Sequence, residues 1–186
     1  VLRRLTVPLA LAQFMLRQMQ AAGVRARVDA GDVIYYTEDP GDNAYAPPGV
    51  VAPDLADRLA APPDQIIVWG EAECRWVIRH FSYLDGAVQL LVLPSHDNPR
   101  VIHILHPLAT KGHALAEYCA SRGIDRRQVL AMGDSLNDFS LLSFAGMAVA
   151  MGHSDPRLHL VADVVLKKGE TVADALEAWV FQPRSG

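Results

Sequence analysis

Hydrophobic positions in the first half of the chain occur at two spacings, which predict a mixture of helices and strands. Residues 8–22 begin with proline, stop before a glycine and repeat apolar side chains at helical intervals, at Leu9, Phe14, Leu16 and Met19. Shorter runs of β-type residues predict strands at 24–29, 32–37, 65–70, 87–94 and 100–106, with helices at 54–60 and 71–81. Ala30-Gly31 and Asp97-Asn98 mark turns within two strand pairs, and the Pro- and Gly-rich stretch 38–53 predicts a loop.

The pattern changes after residue 106, where short apolar strands alternate with helices. Helices are predicted at 111–122, 135–144, 156–161 and 171–180, and buried strands at 128–133, 146–151 and 163–166. This alternation is typical of parallel βαβ units with right-handed crossovers. The predicted fold class is therefore α/β, with an α+β module over residues 1–105 and a parallel, Rossmann-like region over residues 106–186, the boundary lying near 104–110.

Composition and charge narrow the possible functions. The chain has 186 residues, a net charge of −4 and a pI near 5.9, and it contains no long basic block, so a nucleic-acid partner is not expected. No apolar run reaches membrane-spanning length, so a membrane partner is not expected either. The two cysteines, Cys74 and Cys119, form no CxxC pair, which favours a reducing compartment, and we expect the cytoplasm.

The clearest candidate for chemistry is VLAMGDSLNDFSLL, residues 129–142, which places Asp134, Asn137 and Asp138 just after a predicted parallel strand. Ligands of open parallel sheets bind beyond the carboxyl ends of the strands. The same residue types, together with Ser135, also cap helix N-termini, where carboxylates are favoured. From these residues alone, a capped helix start and an oxygen-ligand site for Mg²⁺ both remain open.

The longer run from residue 106 to 165 contains several separate motifs in order. A Lys-Gly pair opens a helix, Gly-Ile follows, Gly-Asp-x-x-Asn-Asp ends the next strand, and AGMAVAMG and ADVV complete the run. Together they resemble the C-terminal core segment of haloacid dehalogenase (HAD) superfamily phosphatases, in particular the Cof-like sugar-phosphatase branch. The resemblance implies that residues 106–186 form the C-terminal half of a HAD-type core and that residues 1–105 form its α+β cap.

The resemblance also implies roles for individual residues. Asp134 and Asp138 match the acids that hold Mg²⁺, the second of them directly or through water. Lys111 matches the catalytic lysine that neutralises the transferring phosphoryl group, and Asn137 matches the amide that orders the site and the phosphate. His153 replaces the asparagine usual in the family; it either donates a hydrogen bond to a bound anion or is an ordinary loop histidine.

One family element has no match in the chain. HAD phosphatases attack with an aspartate of an Asp-x-Asp-Gly motif, and the nearest string, YLDGAV, has Tyr83 at the nucleophile's position. We therefore expect the chain to be a fragment or a remnant that is inactive alone. Its expected partner is the missing N-terminal core segment or, through self-association, a second copy of the chain. The expected function is Mg²⁺-dependent hydrolysis of small phosphorylated metabolites such as sugar phosphates. The alternatives are a non-catalytic remnant or interaction domain and, less favoured, a response-regulator-like binding domain.

Overall fold

The computed structural model describes residues 3–41, 46–93 and 100–181, and the backbone contacts divide the chain into two compact units. The N-terminal unit runs over Arg3–Ala109, and the C-terminal unit begins at Thr110. The domain limits drawn from the sequence, 1–105 and 106–186, stay predictions. No helix among the described residues has both the length and the apolar character needed to cross a membrane.

The N-terminal unit is a six-stranded sheet with helices. Its helices are α1 (Leu9–Ala21), α2 (Leu55–Arg58) and α3 (Glu71–Phe81), and its strands are β1 (Arg27–Ala30), β2 (Val33–Tyr36), β3 (Val50–Val51), β4 (Gln65–Trp69), β5 (Gln89–Leu93) and β6 (Val101–Leu105). The strand order is β3-β2-β1-β4-β6-β5; among the described strands of this sheet, β2 and β3 pair parallel and the other neighbours pair antiparallel.

The two predicted strand pairs are confirmed: β1 pairs antiparallel with β2, and β5 with β6. The loop prediction for 38–53 was incomplete, because β3 adds two residues to the sheet edge beside β2. Such a short strand has no periodicity that a sequence pattern could reveal. The predicted turn at Asp97-Asn98 lies outside the described residues.

Alternation along the strands decides which sheet face is buried in this unit. In β4 and β6 every second side chain is fully buried, and the side chains at the alternate positions of the same strands are partly exposed. These strand side chains pack with apolar side chains of α1, α2 and α3 in one buried cluster. The largest fully buried members of this cluster are Phe81, Met15, Leu16, Met19, Leu55, Ile66, Ile102 and Ile104. Burying each such side chain stabilises the fold by about 1.5–3 kcal/mol before entropy is counted, so this layer holds the unit together.

The C-terminal unit is a parallel three-stranded sheet with short helices. Its helices are α4 (Lys111–Arg122), α5 (Phe139–Phe144) and α6 (Val172–Leu176), and its strands are β7 (Leu130–Gly133), β8 (Met147–Ala150) and β9 (Val164–Val165), in the order β7-β8-β9. Small residues on the strands, Ala131, Ala148 and Ala150, pack with Leu142 and Leu158. The predicted α/β class and parallel pairing are confirmed.

Several helix predictions in this unit were wrong in detail. The segment 135–144 is a 3₁₀ turn, Leu136–Asp138, followed by α5, and 156–161 is a 3₁₀ segment, Pro156–Leu160. The segment 171–180 is α6 followed by a π-helical turn, Glu177–Phe181. At the start of the first segment, Oδ2 of Asp138 accepts from the N–H groups of Asp134 and Ser135, and Asp138 and Ser135 form a capping box around the 3₁₀ turn.

Candidate functional site

The loops after β7 and β8 meet at the carboxyl ends of these two parallel strands. The N–H of Met151 donates to the carbonyl of Gly133 (2.9 Å), and the N–H of Asp155 donates to the carbonyl of Asp134 (2.9 Å). The backbone of Asp134 is thereby held between its own strand and the loop after the neighbouring strand. This is the edge of a parallel sheet at which ligands generally bind.

Asp138 is the best-connected side chain at this edge. One carboxylate oxygen, Oδ2, accepts from the N–H groups of Asp134 (3.2 Å) and Ser135 (3.3 Å), and Oδ1 accepts from Nζ of Lys111 (2.6 Å). The Asp138 side chain is only 8% exposed, whereas that of Lys111 is 50% exposed. Asp138 therefore both organises the loop and fixes the position of a cation from a helix 27 residues earlier.

Gly133 makes this arrangement possible. A Cβ at that position would lie 2.5 Å from Cβ of Asp138 and 2.9 Å from its Cγ. Asp138 can fold back over the end of β7 only because no side chain occupies that space. Gly133 is therefore required so that the Asp138 side chain can pack over the end of β7.

The position of Lys111 depends on the contact of α4 with α5. Gly112 donates its N–H to Oγ of Ser140 (3.1 Å), and a Cβ on Gly112 would lie 2.2 Å from the backbone carbonyl oxygen of Ser140. At the start of α4, the hydroxyl of Thr110 accepts from the N–H of His113 (3.1 Å) and caps the helix. Lys111 thus extends from a capped helix start that packs directly on α5.

Asp134 and His153 form a second, more exposed pair. Nε2 of His153 lies 3.4 Å from Oδ2 of Asp134, and the two side chains are 66% and 53% exposed. No hydrogen bond to the Asp134 carboxylate occurs among the described residues. This carboxylate is therefore free to accept an incoming ligand, unlike that of Asp138.

Asn137 presents an acceptor that the protein leaves unsatisfied. Its Oδ1 is buried and has no hydrogen-bond partner among the described residues. A buried acceptor left unpaired costs about 1–3 kcal/mol, so a water, an ion or a ligand is the expected partner of this oxygen. The capping contacts of this turn are made by Ser135 and Asp138, and the Asn137 oxygen takes no part in them.

The donor set suits a hard cation. Among the described residues, the oxygen donors at this edge are the free Asp134 carboxylate, the unpaired Asn137 oxygen and the Asp138 carboxylate, whose two oxygens already accept from Lys111 and backbone N–H groups. Mg²⁺ binds through one or two carboxylates, water and substrate oxygens. Within the described part of the chain, no three His, Cys, Asp or Glu side chains gather into a closed metal cage. The residues thus fit a metal that takes its remaining ligands from water and substrate.

Asp155 and Arg157 border the site and were missed from the sequence. The Arg157 guanidinium bonds both carboxylate oxygens of Asp155 (2.9 and 2.7 Å), and together with the Arg157 N–H it lowers the pKa of that carboxyl to about 2. The Asp-x-Arg spacing in a loop could have indicated this pair. Asp125 and Arg127 have the same Asp-x-Arg spacing and also form a bidentate contact. The spacing therefore indicates a local ion pair and does not identify a functional site.

The structure thus brings together all five residues selected from the sequence: Lys111 contacts Asp138, whose other oxygen holds the backbone of Asp134, and Asp134 faces His153. Asn137 lies in the same turn, between the two acids. Their catalytic, phosphate-binding and metal-binding roles stay predictions. The contacts of Gly112 with Ser140 and the cap by Thr110 were not foreseen, because they depend on how α4 packs on α5.

Parallel strands that end in an acidic loop, with a lysine from the preceding helix, define an α/β protein with a polar site at the carboxyl edge of its sheet. The profile of the haloacid dehalogenase-like hydrolase family matches residues 77–176, and the chain belongs to this family. The resemblance found in the sequence is therefore confirmed.

Known relatives agree with this assignment. A phosphoglycolate phosphatase from Methanobrevibacter smithii is 36% identical over 106 residues, which cover 56% of this chain and 43% of that protein. The chain spans less than half the length of the curated relatives it matches. Among solved structures, TM0651 from Thermotoga maritima superposes with a TM-score of 0.72 at 20% identity, covering 93% of this chain and 67% of that one. The HAD subclass IIB sugar phosphatase BT4131 superposes with a TM-score of 0.75 at 17% identity, covering 96% and 69%.

Proposed function

We propose that this chain supplies the metal-binding and phosphate-binding part of a Mg²⁺-dependent phosphatase acting on small phosphorylated metabolites, with sugar phosphates as the leading class. The observation behind the proposal is the contact of Lys111 with a nearly buried Asp138, beside a free Asp134, at the carboxyl edge of a parallel strand. The names of relatives, phosphoglycolate phosphatase and sugar phosphatase, support phosphate chemistry.

The electrostatics of the site suit a phosphoryl group. Phosphoryl transfer concentrates several negatively charged oxygens, and catalysis depends on fixed positive charge around them. Mg²⁺ bound by Asp134, with Asp138 directly or through water, would supply part of that charge. The Lys111 side chain is half exposed and its ammonium uses one donor for Asp138, so its two remaining donors would be available to phosphate oxygens.

Asn137 and His153 would complete the binding of the substrate. The unpaired Oδ1 of Asn137 can accept from a water or a protonated phosphate oxygen, or ligate the cation. His153, when protonated, pairs with Asp134 and can also donate to an anion from the loop after β8. Both residues would orient the phosphate rather than form bonds to it.

The nucleophile would come from a further strand beside β7. Among the described strands, β7 pairs only with β8, so its other edge can accept a neighbour. A parallel strand in that place would end next to Asp134, and an aspartate there would face Lys111 and the metal. No Asp-x-Asp-Gly motif occurs in the printed sequence. We propose that such a strand comes from a core segment outside this sequence or from self-association.

The second candidate is a non-catalytic remnant or interaction domain that keeps the fold but not the chemistry. Both candidates share the proposed cytoplasmic location, which the two buried, unpaired cysteines suit.

Magnesium binding by the 186-residue chain tests the site itself. In a calorimetric titration, Asp134→Asn should weaken Mg²⁺ binding at least tenfold, whereas the control Asp125→Asn, in an exposed ion pair of the same unit, should leave it unchanged. Lys111→Met should bind Mg²⁺ at least as tightly as the parent chain, because it removes a neighbouring cation. Unchanged affinity in Asp134→Asn would refute the metal assignment.

Activity tests the rest of the proposal. The chain alone should not hydrolyse p-nitrophenyl phosphate, and joining it to the in-frame segment encoded upstream of Val1 should produce Mg²⁺-dependent turnover. In that longer protein, Lys111→Met should abolish turnover while metal binding persists. If the upstream reading frame holds no Asp-x-Asp-Gly motif and the longer protein is inactive, the non-catalytic candidate is the better one.

A further inference from the structure

A cavity of about 620 Å³ lies within the N-terminal unit, apart from every residue assigned above. It is bounded by the end of α3, the turn that follows, the edge strand β5 and Pro107. Small-molecule sites are typically clefts of about 300–1,000 Å³ with mostly apolar walls and a few polar groups. The cavity has the size and the mixed lining of such a site.

The walls of the cavity are apolar along the strand and polar at the turn. Ile78, Val92 and Pro107 contribute apolar surface, and Ser82, Asp85 and Gln89 contribute the polar groups. The N–H of Asp85 donates to the carbonyl of Ser82 (3.3 Å), so these two polar residues belong to one closed turn that leads into β5. A bound molecule would therefore have its apolar body along β5 and its polar end at the turn.

Among the described residues, the polar end of the cavity offers hydrogen-bond acceptors and no cationic side chain. Gln89 has a buried Oε1 without a hydrogen-bond partner among the described residues. Within the described part of the chain, the Asp85 carboxylate forms no ion pair, and no Lys, Arg or His lines the cavity. A ligand that brings N–H donors and positive charge would satisfy both groups, whereas a phosphate or carboxylate would be repelled.

We propose that this cavity is a binding site for a small organic cation, an ammonium group on an apolar body. The ammonium would donate to the Asp85 carboxylate and to the Gln89 amide oxygen, and the apolar body would lie against Val92 and Ile78. Its lining residues all belong to the N-terminal unit, and none of them is assigned a role in the proposed phosphatase chemistry.

Binding of 2-phenylethylammonium to the 186-residue chain tests the proposal. Two-dimensional NMR should show saturable shifts of amides in 78–92, and calorimetry should give the affinity. The isosteric neutral alcohol, 2-phenylethanol, and the anion 3-phenylpropionate should bind at least tenfold more weakly, since a hydrogen bond between charged groups is lost. Equal binding of the three probes, or no saturable binding of the amine, would overturn the proposal.

Two variants locate the polar end. Asp85→Asn should weaken binding of the amine about tenfold or more, while the control Asp32→Asn, an exposed carboxylate in the β1–β2 turn, should leave it unchanged. Gln89→Leu should also weaken binding and should raise the melting temperature of the amine-free chain, because it removes an unpaired buried acceptor. If Gln89→Leu lowers the melting temperature or either variant retains full affinity, the assignment fails.

Discussion

The structure gives the two acids of the site different roles: among the described residues, the Asp138 carboxylate is hydrogen-bonded, and the Asp134 carboxylate is not. Asp138→Asn, compared with Asp134→Asn, tests this difference. Asp138 accepts three hydrogen bonds, from Nζ of Lys111 and from two backbone N–H groups, and its side chain is 8% exposed. An asparagine can still accept backbone N–H groups through its one oxygen. Its NH₂ group must then face either the Lys111 ammonium or a backbone donor, which leaves at least one donor unpaired.

The magnitude follows from these contacts. A hydrogen bond to a charged group contributes about 1.5–3 kcal/mol. Because Lys111 is half exposed, water recovers part of its loss, and we expect Asp138→Asn to destabilise the C-terminal unit by about 1.5–2 kcal/mol. Asp134 is 53% exposed and accepts no hydrogen bond among the described residues, so Asp134→Asn should change stability by less than about 0.5 kcal/mol.

Native-state hydrogen exchange resolved by peptide is the appropriate assay, because two compact units need not unfold together. Asp138→Asn should lower protection throughout 110–176 and leave the peptides of the N-terminal unit unchanged, which provides an internal control. Asp134→Asn should change neither. If the two variants lose the same protection, Asp138 is not held as the structure describes, and the distinction between the acids is wrong.

Three further predictions concern other positions. Gly133→Ala should destabilise the C-terminal unit by about 1–3 kcal/mol, since its Cβ would lie 2.5 Å from Cβ of Asp138; unchanged urea unfolding would contradict this. Burial lowers the pKa of His103, so the folded state favours the neutral imidazole, and the stability of the N-terminal unit should fall as pH drops below 6.5. His103→Gln should reduce the pH dependence of the urea unfolding midpoint between about pH 7 and 5. An equal pH dependence in the variant and the parent chain would show that His103 is not responsible. Arg157→Ala should raise the pKa of Asp155 from about 2 towards its ordinary value of 3.8 in a carboxyl NMR titration; the stability that this lowered pKa contributes is present above 3.8 and lost as pH falls towards 2, and an unshifted titration would show that Arg157 is not the cause.

The sequence by itself determined the class of the fold and the place of the candidate site. Short runs of β-type and apolar residues between turn residues revealed the strands of both antiparallel pairs and the parallel strands of the C-terminal unit, because residue type and run length are properties of the local sequence. The grouping of Asp134, Asn137 and Asp138 was equally local, since five consecutive positions after a strand cannot lie far apart.

Only the tertiary structure decided what these residues contact. The approach of Lys111 to Asp138 requires α4 to pack on α5 through Gly112, and no spacing in the sequence encodes that distance. The difference between a nearly buried Asp138 and an exposed Asp134 likewise arises from one carboxylate folding over Gly133. Exposure and partners depend on atoms brought together from distant positions, so they became visible only once the chain was folded.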